Sequence, residues 1–239
     1  MKENEDTKKR TRQKQISDRF ITRPVDFLVK HNITPNIISY IGFIFSSVAS
    51  FLIALCGLYF SIWLSWIIPA IMGIAGAMDL FDGEVARRTG NETQSGAFLD
   101  SNLDRLSDAI FVICIIYGGL VNFLLGYVIL FLVLMISYTR SRAENEGVNM
   151  KGIGFMERAE RLLFLIFALI AELIFYFASS LILDEPFTIF IPFITRIPVT
   201  PIFLISIILY TFTLLYTLLQ RVSHTFRRLK KLDNINEQI

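Results

Sequence analysis

An all-α integral membrane fold of six transmembrane helices, preceded by an amphipathic helix lying in the membrane interface, is what this sequence predicts. Three observations carry that expectation. The 239 residues are 54% hydrophobic, with a mean hydropathy of +0.55, whereas soluble domains sit near roughly 45–50% apolar. The apolar residues are gathered into blocks, and residues 32–78 and 109–139 contain no Asp, Glu, Lys or Arg. Of the 23 Lys and Arg, only Arg196 falls outside the segments that a six-span reading puts on one face. The positive-inside bias therefore places both termini in the cytoplasm.

The elements follow in order. Residues 1–17 form a charged lead, 18–225 a single membrane domain and 226–239 a cytoplasmic tail. The polar lead has no apolar stretch of the kind a signal peptide needs. Residues 18–31 read as the interfacial helix, with Phe20, Ile21, Val25, Phe27, Leu28 and Val29 set among basic residues. The chain then turns at Thr34-Pro35-Asn36 into the first span. A spanning helix takes roughly 20 mostly apolar residues, so 32–78 holds two, broken near 57–61. The third and fourth spans share 109–139 and hinge near Gly118–Gly119. Their inner ends must then carry Asp104, Arg105 and Asp108 on one side and Arg140 and Arg142 on the other. Charges at that depth are tolerated where they face one another or a wet cavity. Residues 162–183 and 197–220 supply the last two spans. Inner links run over 90–96 and 144–158, and only 184–200 is long on the outer face. Cys56 and Cys114 lie inside apolar spans and are expected to pack as small hydrophobes, with no disulfide or zinc spacing. Glu172 interrupts the fifth span, where an interhelical hydrogen bond or a dimer contact is expected.

The chemistry concentrates between residues 79 and 104. On a helix Asp79, Asp82, Gly83 and Ala86 are spaced i, i+3, i+4 and i+7, so they share a face. Gly96, Asp100 and Asp104 recur every four residues and form a second stripe. Carboxylate oxygens suit a hard cation such as Mg²⁺, which binds through one or two carboxylates plus substrate phosphates. Gly83 and Ala86 leave room for a nucleotide beside the backbone, and the planar fork of Arg87 suits a phosphate. Taken singly, each Asp could equally cap a helix or pair with Arg87, Arg88 or Arg105. Four acids together would repel strongly without a cation.

The pattern D-x2-D-G-x2-A-R-x8-G-x3-D-x3-D resembles the signature of the CDP-alcohol phosphatidyltransferase family, with every motif position filled. The resemblance implies a homodimeric six-helix membrane fold with two divalent ions, Mg²⁺ or Mn²⁺. It implies that Asp79 and Asp100 bridge both metals, that Asp82 completes the first site and that Asp104 ligates the second. It also makes Asp104 the base that deprotonates the acceptor hydroxyl. Gly83, Ala86, Arg87 and Thr93 would line the CDP-lipid site, together with the turn Asn36-Ile37-Ile38-Ser39.

Two later segments, 137–144 with Ser137, Arg140, Arg142 and Glu144, and 154–161 with Glu157, Arg158 and Arg161, are similar to the family branch that uses inositol 1-phosphate. That branch also carries an arginine late in the last span, here Arg221. A phosphate on the acceptor carries close to two negative charges, which gives a basic pocket a purpose. Arg158 and Arg161 are i, i+3 neighbours and can point together; Arg140 and Arg142 are two apart and do not share a face. The plainer alternative pairs Glu157 with Arg161 and leaves the other arginines as positive-inside anchors. Ser137 would hydrogen-bond near the acceptor.

The expected activity is thus metal-dependent transfer of a phosphatidyl- or archaetidyl-type group from a CDP-activated lipid to inositol 1-phosphate, releasing CMP, with the site facing the cytoplasm from the cell membrane. Glycerol 3-phosphate, an inositol headgroup or serine are alternative acceptors, serine least so because a zwitterion has no use for five arginines. A cation-coupled transporter is a different class, disfavoured because the charges sit at span ends and not midway. Membrane lipids and a second copy are the expected partners, and no nucleic acid is. Asp108 is expected to cap or pair, and His31 and His224 to be surface residues.

Overall fold

The computed structural model describes residues 21–236, with side chains to residue 234. The charged lead 1–17, the first residues of the expected interfacial helix and the end of the tail lie outside the described residues. Seven helices follow one another: α1 (21–30), α2 (Pro35–Cys56), α3 (Ile67–Thr89, preceded by a 3-10 turn at Leu64–Trp66), α4 (Gln94–Tyr117), α5 (Phe123–Asn145), α6 (Arg158–Leu183) and α7 (Pro201–Asn236).

The ends of these helices are set by local chemistry. α2 and α7 start at Pro35 and Pro201, where the fixed φ suits a first turn and the missing N–H is no loss. α2 stops at Gly57, whose φ of 74° leaves the helical region, and α4 stops at Gly118–Gly119, as the sequence anticipates. α6 begins on a capping box in which Glu157 accepts from the backbone of Glu160 and the Glu160 carboxylate accepts from Glu157 N at 2.8 Å. Glu157 therefore caps the helix, and the expected alternative of a Glu157–Arg161 pair gives way to this local solution.

Among the described residues, five helices are long and apolar enough to cross a membrane: Pro35–Cys56, Leu64–Thr89, Phe123–Asn145, Arg158–Leu183 and Pro201–Asn234. The chain is multi-pass. α4, the sixth expected span, has 24 residues and so is about 36 Å long. Its first fifteen residues carry Asp100, Asp104, Arg105 and Asp108, which no apolar window of spanning length avoids.

The described residues divide into two compact units. The first contains the residues up to Ile44 together with Ile74–Leu103. Within it Val25 of α1 is fully buried with Ile38 and Val85, and Met78 and Phe81 pack against them. Asp26 pairs with Arg88 at 2.7 Å, a second tie between α1 and α3. α2 and α3 approach closely at Gly42, where an added Cβ would sit 3.1 Å from Met78 Cβ. Small residues at helix contacts are what membrane packing favours, since lipid supplies no hydrophobic drive between helices.

The second unit contains Phe45–Gly73 and the chain from Asp104 onward. Its core is a large apolar cluster that includes Ile53, Met72, Ile115, Ile136, Leu169 and Leu214. α7 packs against both α5 and α6. Gly118 admits the backbone of α2, since a Cβ there would lie 2.7 Å from Ile53 O. Ala143, Val148 and Met150 fold the link after α5 back on itself, with Leu229 of α7 against them. Arg196 stacks over Phe123 at 4.4 Å.

Glu172 is fully buried in α6 and fully engaged. Its carboxylate accepts from the hydroxyls of Tyr59 and Thr200 and from Thr200 N at 3.0 Å. Burial, and then the neighbouring Glu172 carboxylate, hold the Tyr59 phenol well above its ordinary range, so Tyr59 remains a donor. Tyr59 and Thr200 both lie in segments between helices, so where the sequence led us to expect a bond between helices, Glu172 ties α6 to two connecting segments.

Candidate functional site: a three-aspartate cluster and an arginine–acid ladder

In the first unit Asp79 and Asp82 of α3 meet Asp100 of α4, with one oxygen from each lying within 4.8 Å of the others. The i, i+3 spacing on α3 makes its two acids neighbours, as the sequence requires. Two unit charges at that separation repel by roughly 3.5 kcal/mol at an effective dielectric of 20. Asp82 is only 6% exposed, so water screens it poorly. Convergent carboxylates with one nearly buried member are a donor set for a hard divalent cation, and these three residues can hold one.

Ser39 supports the cluster from α2, its hydroxyl donating to Asp82 Oδ2 at 2.6 Å. Ser39 is one of the residues the family resemblance assigns to the donor site; the structure adds that it hydrogen-bonds a carboxylate. Outer-shell partners of metal ligands typically matter about 10–100-fold in metal affinity or activity. Ser39→Ala should therefore raise the Mg²⁺ concentration needed for half-maximal turnover by about that factor. An unchanged Mg²⁺ titration would show that Asp82 needs no such support.

The other donor-site candidates take distinct positions. A Cβ added at Gly83 would meet nothing within 4 Å. Glycine in a helix costs roughly 0.5–1 kcal/mol relative to alanine, and no protein neighbour explains the missing methyl. Open space beside the aspartates does. Ala86 is half-buried, Asn36 and Ile37 are exposed, and Ile38 is fully buried in the apolar cluster, so only its backbone could face a nucleotide. Asn36 Oδ1 lies 3.3 Å from where a Cβ on Gly96 would be. Arg87 pairs with Glu84 at 2.7 Å on an exposed face, an interaction weak enough to exchange for a phosphate. Glu84 also holds Arg88 at 2.8 Å; its i+3 and i+4 spacing to the two arginines was the available signal for this role. Thr93 caps α4, its Oγ1 accepting from Gly96 N at 3.0 Å.

In the second unit two acids of α4 face two arginines of α6. Arg158 pairs with Asp104 at 2.8 Å, and Arg161 with Asp108 at 2.8 Å. The i, i+4 step on one helix meets the i, i+3 step on the other, giving a two-rung ladder. Asp104 is not in the three-aspartate group. Arg161 is 4% exposed, and its Nε is buried without a hydrogen-bond partner among the described residues. Arg221 is equally buried, with Nε donating to Ile153 O and Nη1 to Ile136 O, both at 3.0 Å. Arg140 and Arg142 engage Glu144 and Glu146, each four residues on, from exposed positions. Ser137 is half-buried on α5.

A model of the family described as CDP-alcohol phosphatidyltransferase matches residues 32–216. Archaetidylinositol phosphate synthase of Methanothermobacter thermautotrophicus is 45% identical over 97 residues, 41% of this chain and 49% of that protein. The protein of the same name from Pyrococcus horikoshii is 36% identical over 141 residues, 59% of this chain and 71% of that one. The matched part thus spans from about half to about seven-tenths of the length of these relatives. Phosphatidylinositol phosphate synthase of Mycobacterium tuberculosis, crystallised with manganese and citrate, superposes with a TM-score of 0.64 at 23% identity, covering 86% of this chain and 88% of that one. That likeness is one of fold.

Proposed function

This chain belongs to the CDP-alcohol phosphatidyltransferase family, and from that premise we propose that it moves a phosphatidyl- or archaetidyl-type group from a CDP-activated lipid onto inositol 1-phosphate. The observation that carries the reading is the juxtaposed aspartate cluster, with open space at Gly83 beside it. Asp79, Asp82 and Asp100 would hold the metal, with Asp104, one turn beyond Asp100 on α4, as ligand to a second ion. Two Mg²⁺ or Mn²⁺ ions bound there would neutralise the diphosphate and make CMP a better leaving group. Asp104 takes the proton from the acceptor hydroxyl. The freed oxygen bonds to the β-phosphorus as the bond from that phosphorus to CMP breaks. Asn36, Ser39, Ala86, Arg87 and Thr93 flank the donor. α4 acts as the sixth span and α1 lies in the interface, with the basic ends and the site in the cytoplasm of a cell-membrane homodimer.

Arg158 and Arg161 hold the acceptor phosphate, with Ser137, Arg140 and Arg142 at its margin. The names of the archaeal relatives support inositol phosphate as the acceptor. Arg221, which the resemblance also assigns to the acceptor phosphate, would join Arg158 and Arg161 from α7, its Nε and Nη1 held by two main-chain oxygens. A panel of acceptors offered with one CDP-lipid tests the proposal by CMP release. Inositol 1-phosphate should outrun inositol, glycerol 3-phosphate and serine, and CMP release should need a divalent ion. Equal use of inositol and its phosphate would remove the acceptor assignment. Arg161→Lys keeps the charge and loses the fork, so acceptor KM should rise about tenfold or more, as for a lost charge-assisted hydrogen bond of about 1.5–3 kcal/mol. Donor KM should stay constant; a shift there instead would move Arg161 to the donor side.

A further inference from the structure

Beside the link that precedes α6, one face of α7 changes character along its length. Phe155, Tyr216 and Leu219 line the apolar end of a groove of about 590 Å³, and Ser223, His224 and Arg227 line its polar end. Tyr216, Leu219, Ser223 and Arg227 follow at three- and four-residue steps, so they form a single helical stripe. The floor is built in: Gly154, at a φ of 125°, brings its backbone against Arg221, where an added Cβ would lie 2.9 Å from Nε. α7 has 36 residues, about 54 Å, against a hydrocarbon core of about 30 Å. The stripe turns cationic where the helix must leave the hydrocarbon. Neither His224 nor Arg227 has an acidic partner among the described residues.

The geometry points to a binding site for one anionic phospholipid of the surrounding leaflet, separate from the CDP-lipid. Its acyl chain lies on Phe155, Tyr216 and Leu219, and its phosphate meets Ser223, His224 and Arg227. Charge complementarity selects this occupant. Segment 1–20 of the chain itself carries seven basic and four acidic residues, a net positive charge that Arg227 disfavours, and a wholly apolar partner would leave the Arg227 cation uncompensated.

Full-length protein is exchanged into mixed micelles containing dioleoylphosphatidylglycerol or dioleoylphosphatidylcholine, and retained lipids are counted by native mass spectrometry. Wild type should retain one phosphatidylglycerol in preference to phosphatidylcholine. Arg227→Glu should cut that retention about 25-fold, since one cation at a membrane surface is worth about fivefold and reversal counts twice. Ser223→Trp, which fills the groove without changing charge, should do the same. Arg228→Glu, an equal charge change outside the groove, should have little effect. Equal retention of the two lipids would overturn the site, as would an Arg228→Glu effect as large as that of Arg227→Glu. Displacement of the lipid by millimolar inorganic phosphate would indicate a free-anion site, and loss of dimers in Arg227→Glu a second copy in the groove; either defeats the proposal.

Discussion

Asp79→Asn and Asp100→Asn should each lower CMP release by more than about 100-fold, while the protein still inserts and purifies normally. The magnitude follows from comparison: even outer-shell partners of a metal ligand are worth about 10–100-fold, and these residues supply ligand oxygens themselves. Each substitution also removes one of three charges whose oxygens lie within 4.8 Å of one another, which relieves their mutual repulsion. Thermal stability should hold or rise, because like-charge repulsion is relieved. Loss of activity with retained or improved stability is the signature of a site built for a cation. Either variant turning over at near-normal rate under limiting Mg²⁺ would remove that residue from the metal centre.

Asp104→Asn should bind CDP-lipid yet lose about 10²–10⁴-fold in turnover, the usual worth of general base catalysis. Donor affinity separates this variant from those at Asp79 and Asp100. Arg158 complicates the readout, since it pairs with Asp104 at 2.8 Å, and the variant weakens that ion pair. Acceptor KM can therefore fall even as turnover collapses, the opposite of the Arg161→Lys pattern. A normal turnover number in Asp104→Asn would exclude it as the base.

Much of the fold was legible because spans are written locally. Apolar runs, Pro35, Gly57 and Gly118–Gly119 mark helix ends through constraints within a few residues. The Asp79–Asp82 pair was legible for the same reason, as periodicity on one helix. Contacts between elements were harder to read. Ser39 meets Asp82 across 43 residues, and Tyr59 reaches Glu172 across 113. Nothing in either local pattern names the other partner. Arg221 shows a further limit, since its acceptors are main-chain oxygens of Ile153 and Ile136, which every residue possesses. Arg161 was read as a phosphate ligand or a partner of Glu157. It pairs with Asp108 and not with Glu157, because the capping box at the start of α6 already occupies Glu157.

The Glu172 network makes the order of genetic change matter. If Thr200 or Tyr59 is lost first, a carboxylate deep in the protein is stranded without its donors, a heavy cost in a low-dielectric interior. If Glu172 is replaced first, only neutral hydroxyls are left behind, and those can turn to backbone carbonyls. Descendants of this chain can therefore abandon the network readily by only one route, with the acid going before its donors. Lineages that keep glutamate here are held to both hydroxyls, so substitutions at three positions far apart in the chain become historically contingent on one another.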